Sequence, residues 1–547
     1  MRFFFSCSVL VLFFGTRVSA QVMDTQKPRL VVGIVVDQMR NDYIYRYWNR
    51  FGEGGFKRLV KEGFYFRNTH FNYIPTYTGP GHASIYTGTT PRNHGIIANN
   101  WYNAGEGNMV YCSYDDAVQP EGTEAANCRM SPHRLLVNTV GDELKLATIK
   151  KSKVFAVALK DRGAVLPAGH SADAAYWFDE STGNFVSSSW YSKNLPAWLN
   201  DFNSGEPVKK YLSQPWNTLY PINSYTASLP DDNNYESLKL RADKPVFPYD
   251  FGDHVKKRNW SVIRATPYGN SITKDAALAC LRYEGLGKDE ITDMLCISFS
   301  SPDVIGHDYG PRAIEIEDVY LRLDRDIEEI LKALDKEVGA GRYTLFLTGD
   351  HAAGDVPSHL LDEKMHAGYV YESTVRKLVH KFCHEKYQDS SLIANVSNEQ
   401  IFLNTQKIAS SQLDQELLEK QLCELLISTP GIAAAYPSEV LRYSGACGDI
   451  QLQLLQNGYH FKRSGHVALV LEPGFMDHSR RGTSHGTGYV YDTHVPLVFF
   501  GNGIPKGESF LYTPITSIAP TLSELLRIAR PNGSTEAPLN GFFKKSN

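Results

Sequence analysis

Short apolar, β-branched runs recur along the chain: "RLVVGIVVDQ" from Arg29, "KVFAVALK" from Lys153, "DMLCISFS" from Asp293, "YTLFLTGDH" from Tyr343 and "VPLVFFG" from Val495. Continuous runs of this length, with no polar alternation, predict strands buried on both faces. Between several of them the period is helical, above all in "AIEIEDVYLRLDRDIEEILKALDKEV" from Ala313. There the apolar residues recur at three and four and the other face carries charge. Strand, helix, strand in succession predicts an α/β fold, a mainly parallel central sheet flanked by helices.

Two stretches break this rhythm and read as inserted, cap-like segments. Residues 175 to about 265 are rich in Asn, Ser, Pro and Tyr and hold five of the seven tryptophans. They begin with "YWFDESTGNFVSSSWY", a hairpin pattern around a polar turn. A lid beside an active site is one use for such a piece, and decoration packed elsewhere is the other. The second stretch, about 370 to 480, mixes helical and extended segments before "HVALVLEPG". No internal repeat or low-complexity tract occurs.

Residues 1–20, "MRFFFSCSVLVLFFGTRVSA", carry Arg2, an apolar stretch and the small residues Val18-Ser19-Ala20, the form of a secretory signal peptide. Residues 21–547 would then be the mature chain, exported to a bacterial periplasm or the cell exterior. No later segment reaches about 18 uninterrupted apolar residues, so no stable membrane insertion is expected. A formal charge of −4 over 547 residues argues against general attraction to nucleic acid. Seven of the eight cysteines lie beyond the signal, an odd number without C-x-x-C spacing, which disfavours a thiolate zinc cluster and leaves the pairing open.

In an open parallel sheet, ligands gather at the carboxyl ends of the strands. Asp37 follows the first run, "SPDVIGH" with Asp303 and His307 follows the third, and Asp350-His351 ends the fourth. Singly, an Asp after a strand is a helix cap or turn residue. Together, these strand ends deliver carboxylates and imidazoles to one edge. Asp303 and His307, four apart, share one helix face, and "RRGTSHGTGYVYDTH" adds His485 in a glycine-rich loop. Carboxylate plus imidazole without thiolate suits Zn²⁺, with Mn²⁺ the lesser candidate. In "NYIPTYTGPGHASIYTG", Thr78 precedes a turn entering a helix. Its hydroxyl is either an N-cap or a nucleophile beside a metal pair suited to displacement at phosphorus.

The ordered set Asp37, Thr78, Asp303-x-x-x-His307, Asp350-His351, His485 resembles the bimetallic alkaline phosphatase superfamily over nearly the whole mature chain. The resemblance implies two Zn²⁺ per chain: Asp37, Thr78, Asp350 and His351 around one, Asp303, His307 and His485 around the other. It implies Thr78 as the nucleophile of a phosphothreonine intermediate. A sulfatase is disfavoured, since "TGPGH" lacks the C/S-x-P-x-R motif of that branch. Thr78 followed by Asn99 in "HGIIANNW", with Asn100 as its neighbour, is similar to the nucleotide pyrophosphatase/phosphodiesterase branch and to the phosphate-insensitive PafA-type bacterial branch.

Charge separates those two. A monoester carries one more negative charge than a diester, so a monoesterase gains from added cations around the transferred group. Lys160 and Arg162 end "KVFAVALKDRG", on one side if the strand continues, and resemble the Lys-x-Arg pair of the PafA-type enzymes. The resemblance therefore implies a broad-specificity alkaline phosphomonoesterase acting on small phosphorylated metabolites. Asn99, Lys160 and Arg162 would bind the phosphoryl group, in a monomer without a third metal. The alternative is a phosphodiesterase or nucleotide pyrophosphatase on the same metals. A noncatalytic phosphate-binding surface protein is the third class.

Overall fold

The first apolar run forms β1 (Leu30–Val36), with all seven residues buried. Leu30, Val32, Ile34 and Val36 join the core on one face of the sheet, and Val31 and Val35 join the core on the other. Burial on both faces is why the run shows no polar alternation. The structure, a computed structural model, describes residues 27–539 apart from Ala242 and residues 444–447. The signal-like residues 1–20 lie outside the described residues.

Six further strands follow in chain order: β2 (Phe64–His70), β3 (Val154–Ala158), β4 (Ala174–Asp179), β5 (Asp293–Phe299), β6 (Tyr343–Gly349) and β7 (His494–Gly501). In space they run β2-β7-β6-β1-β5-β3-β4 within an eleven-stranded sheet. From β6 to β4 every pairing is parallel, whereas β7 is antiparallel to both its neighbours. The mainly parallel α/β sheet read from the sequence is the observed architecture. Four helices matter for the site: α1 (Thr78–Thr87), α2 (Asp161–Ala168), α3 (Ser301–Tyr309) and α4 (Ile314–Leu334), the last being the predicted amphipathic segment.

The registers decide where chemistry can assemble. Val36 at the end of β1 pairs with Gly349 of β6 on one side and Phe299 of β5 on the other. Residues 37, 350 and 300 therefore emerge at one level of one edge. Lys160 leaves the same edge from β3. The strand does not continue through Arg162, contrary to the simplest reading of "KVFAVALKDRG". It ends at Ala158, Lys160 is the N-cap of α2, and Arg162 lies in the first turn of that helix.

The hairpin at the start of the first inserted stretch is present, pairing Trp177 with Val186 and Phe178 with Phe185. Its first arm is β4, a member of the central sheet. Beyond it, Trp198, Trp216 and Trp260 sink into the same core cluster as α4. The Trp216 indole donates to Asp318 at 2.7 Å, which secures this layer to the outside of α4. The second stretch builds a separate antiparallel sheet in the order 393–397, 400–403, 467–471, 432–437. Helices Glu372–Tyr387 and Gln415–Ile427 cover it with a core of their own. Among the described residues, all six cysteines are free and buried, and no helix is long and apolar enough to cross a membrane.

Helix α1 is buried along its whole length, which its small residues permit. A Cβ at Gly81 would stand 2.3 Å from the carbonyl oxygen of Asp350. Because that obstacle is backbone, Gly81→Ala must push α1 off the end of β6. It is expected to destabilise the protein by about 1–3 kcal/mol. Thermal unfolding of the purified variant checks this.

Candidate metal centre and nucleophile

Asp37, Asp350 and His351 form one group whose ligand-capable atoms lie within 4.8 Å of one another, and Asp303, His351 and His485 form a second. His351 belongs to both. Its Nε2 stands 3.3 Å from Asp37 Oδ1 and 3.7 Å from Asp350 Oδ2, while its ring stacks on that of His485 with centroids 3.5 Å apart. On α3, Asp303 and His307 do share a face, with His307 Nε2 at 3.2 Å from Asp303 Oδ1. His485 Nε2 reaches the same oxygen at 3.5 Å. Residues from four separate regions of sequence thus converge on one small volume.

Each imidazole is oriented the same way. Nδ1 faces a backbone carbonyl in all three: Thr483 O at 2.7 Å for His307, Ala352 O at 3.0 Å for His351 and Thr76 O at 2.7 Å for His485. A carbonyl accepts only, so Nδ1 carries the proton and Nε2 turns its lone pair inward, the arrangement of metal-ligating histidines. Two buried carboxylate oxygens in the cluster, Asp37 Oδ1 and Asp350 Oδ2, have no hydrogen-bond partner. Buried acceptors without donors are costly. Inward lone pairs, orphaned carboxylate oxygens and no thiolate together fit divalent cations.

The electrostatics agree. Burial would lower the His351 imidazole, but Asp350 and Asp37 overcome it and hold its pKa up to about 9. Its stacked neighbour His485 is pushed down to about 3, first by burial and then by the positive charge of His351. Burial also opposes ionisation of Asp303, yet His307 and Lys160 keep its carboxyl well below the usual range. The volume is one of concentrated negative charge, which holds a proton on His351 Nε2 where no cation competes for it and which the Lys160 ammonium partly offsets.

Lys160 supplies the ammonium. Its Nζ donates to Asp37 Oδ2 and to Asp303 Oδ2, each at 2.5 Å, bridging the two groups. Arg162 donates from Nη1 to the Tyr111 hydroxyl at 3.0 Å, and that hydroxyl donates to Asp161 Oδ1 at 2.8 Å. Its Nε is buried without a partner.

Thr78 is the first residue of α1, after Tyr77 as N-cap, and no side chain caps the helix. The N-cap reading of Thr78 is therefore removed. Its Oγ1 instead lies 3.5 Å from His351 Nε2. Asn99 accepts from the Gly79 amide at 2.7 Å, which puts it beside the start of α1. Asn100 is exposed on a surface strand and engages the second inserted sheet through its carbonyl, so of the two amides Asn99 is the one beside α1.

Several participants escape a reading of strand ends. Gln38 donates through its backbone to Asp350 Oδ1 at 3.1 Å and through its side chain to Asp303 Oδ1 at 2.8 Å, joining the two groups. Its position immediately after Asp37 was the available signal. His82 faces Thr78 O through Nδ1 at 2.9 Å and Ser298 Oγ through Nε2 at 2.9 Å. The spacing of four from Thr78 places it on the same helix face. Nothing local in the sequence marks the carbonyls of Thr76 and Thr483 as the holders of His485 and His307.

The model of the type I phosphodiesterase / nucleotide pyrophosphatase family matches residues 31–494. Among curated relatives, a protein of Myroides odoratus named calcium-transporting ATPase is 42% identical over 94% of each chain. Alkaline phosphatase PafA of Elizabethkingia meningoseptica is 41% identical, again over 94% of each. A crystal structure of wild-type alkaline phosphatase PafA superposes with a TM-score of 0.91 at 39% identity, covering 94% of this chain and 98% of that one.

If the two groups retain metal as their donor sets suggest, Asp350→Asn and His485→Ala should each weaken retention of divalent metal at least tenfold. His478→Ala should leave it unchanged, since that ring stacks 5.9 Å from His307 but belongs to neither group. Dialysis against graded chelator followed by elemental analysis measures this.

Proposed function

We propose that this chain, which belongs to the type I phosphodiesterase/nucleotide pyrophosphatase family, is an alkaline phosphatase of the PafA type that hydrolyses phosphate monoesters. The similarity to alkaline phosphatase PafA along nearly the full length supports the activity. The observation that carries the monoester preference is the buried ammonium of Lys160 on the two carboxylates that join the metal-capable groups. A cation fixed there matches the extra charge of a monoester dianion.

The residues divide the work as follows. Asp37, Asp350 and His351 would hold one Zn²⁺, with Thr78 beside them, and Asp303, His307 and His485 would hold a second, with His351 close to both. Bound there, the cations would lower the pKa of a coordinated hydroxyl and neutralise charge on the attacking and departing oxygens. Thr78 Oγ1 attacks phosphorus in line, the ester oxygen departs with the alcohol, and a phosphothreonine forms. Water then cleaves the Oγ1–P bond, so two inversions give net retention. Asn99, anchored on the Gly79 amide, Lys160 and Arg162 position the nonbridging oxygens. Gln38 keeps Asp350 and Asp303 in register. Hydrolysis of ATP, which the name of the Myroides relative denotes, is transfer of the same dianionic terminal group. Export through residues 1–20, a monomeric state and a broad range of small phosphorylated metabolites complete the reading.

A phosphodiesterase would use the same metals and nucleophile, and matched substrates separate the two. Wild type should hydrolyse an aryl phosphate much faster than its methyl diester. Replacing Lys160 and Arg162 by Ala should lower kcat/KM for the monoester by roughly a hundredfold to a thousandfold, with a loss on the diester of less than about tenfold. Equal losses on both would remove the assigned role. Thr78→Ala should abolish trapping of a covalent phosphoprotein, read by intact mass after an acid quench.

A further inference from the structure

Beside His485 lies a cavity of about 180 Å³, lined by neither Lys160 nor Arg162, that the reaction as described leaves unused. Its walls are Tyr77, Met476 and Leu471 with the carboxylates of Glu372, Glu399 and Asp477, and neither lysine nor arginine lines it. Tyr77 immediately precedes Thr78, and its ring meets that of His485 edge-on at 5.7 Å. Whatever occupies the cavity therefore lies against a proposed metal ligand and against the residue that precedes the proposed nucleophile.

Glu399 is the element aimed there. Its Oε2 accepts from the Tyr77 hydroxyl at 3.0 Å. It sits at the tip of the hairpin joining strands 393–397 and 400–403, in the turn Asn398-Glu399 with φ of +53° and +54°. Such two-residue turns favour Asn-Gly, so a glutamate is kept here against its backbone preference. The two other carboxylates are engaged nearby: Glu372 accepts from Arg376 at 2.6 Å, and Asp477 accepts from the Glu372 amide at 3.0 Å. Glu399 has no basic partner within 4 Å among the described residues. Burial first, then the negative charges of Asp477, Glu372 and Asp492, raise its carboxyl to about 7. A cation entering the cavity would relieve that repulsion.

We propose that this cavity receives the alcohol half of the substrate and selects leaving groups that carry an ammonium, as in ethanolamine-type and choline-type phosphomonoesters. The aromatic face of Tyr77 and the Glu399 carboxylate are the recognising pair, since cations bind aromatic rings and buried carboxylates alike. Met476 and Leu471 take up the methylene or methyl groups. This rests on the phosphatase reading above, because the alcohol must depart towards His485.

The test compares choline phosphate with its neutral isostere 3,3-dimethylbutyl phosphate at about pH 9, where ammonium and carboxylate are both charged. Wild type is expected to favour the charged ester roughly fivefold to tenfold in kcat/KM, chiefly through KM. In Glu399→Gln, which keeps an acceptor for Tyr77, the ratio should fall to about one while the neutral ester turns over as in wild type. Glu372→Gln should reduce the ratio by a smaller factor and guards against a folding defect in the first variant. Equal rates on the two esters in wild type, or a preference that survives both substitutions, would overturn the proposal. Turnover of the neutral ester reports on the phosphatase reading alone. If neither ester is hydrolysed that reading fails, and calorimetric binding of the same two esters then decides the pocket: tighter choline phosphate supports it, equal affinity rejects it.

Discussion

The structure depends on holding three carboxylates, Asp37, Asp303 and Asp350, in one buried volume. Like charges at such a distance repel strongly once water is excluded, so the arrangement survives only if backbone registers impose it and positive charge answers it. The registers of β1 with β5 and β6 impose it, ending all three strands at the same level. The Lys160 ammonium and the raised pKa of His351 answer it within the protein, and a pair of divalent cations would answer it more completely. Orientation by backbone carbonyls then follows as a requirement. An imidazole free to spin would turn its N–H toward the nearest carboxylate and its lone pair away from the site.

Much of this was legible in the sequence because two rules act locally. Strands buried on both faces read as unbroken apolar runs, which located β1, β3, β5, β6 and β7. Ligands collect where such strands end, which singled out Asp37, Asp303, Asp350, His351 and Lys160 before any contact was known. His307 came from helix periodicity. The rest was hidden for physical reasons. Arg162 is placed by the first turn of α2 rather than by alternation along a strand, because the chain turns immediately after Ala158. Thr76 and Thr483 act through carbonyl oxygens, which every residue possesses and no sequence distinguishes. Tyr77 meets Glu399 across more than three hundred residues, and no spacing rule reaches that far.

The two inserted stretches look alike in sequence, both departing from the strand and helix rhythm, and they do different things. The tryptophan-rich one is largely an outer layer of the core, with Trp198, Trp216 and Trp260 buried in the same cluster as α4 and Trp216 bonded to it. The later one has a core of its own and presents a hairpin tip to Tyr77, the residue before Thr78. Composition foretells the first outcome, since large aromatic residues stabilise most when fully buried. The second depends on a turn of two residues, and only the assembled chain reveals where it points.

The six buried cysteines bear on how such a chain can be made. Each described thiol is buried, none is bonded to another, and burial raises the Cys112 and Cys296 thiols to about 12. A thiolate is the form that exchanges or oxidises, so these groups are chemically silent once folding is complete. The described fold consequently owes nothing to cross-links.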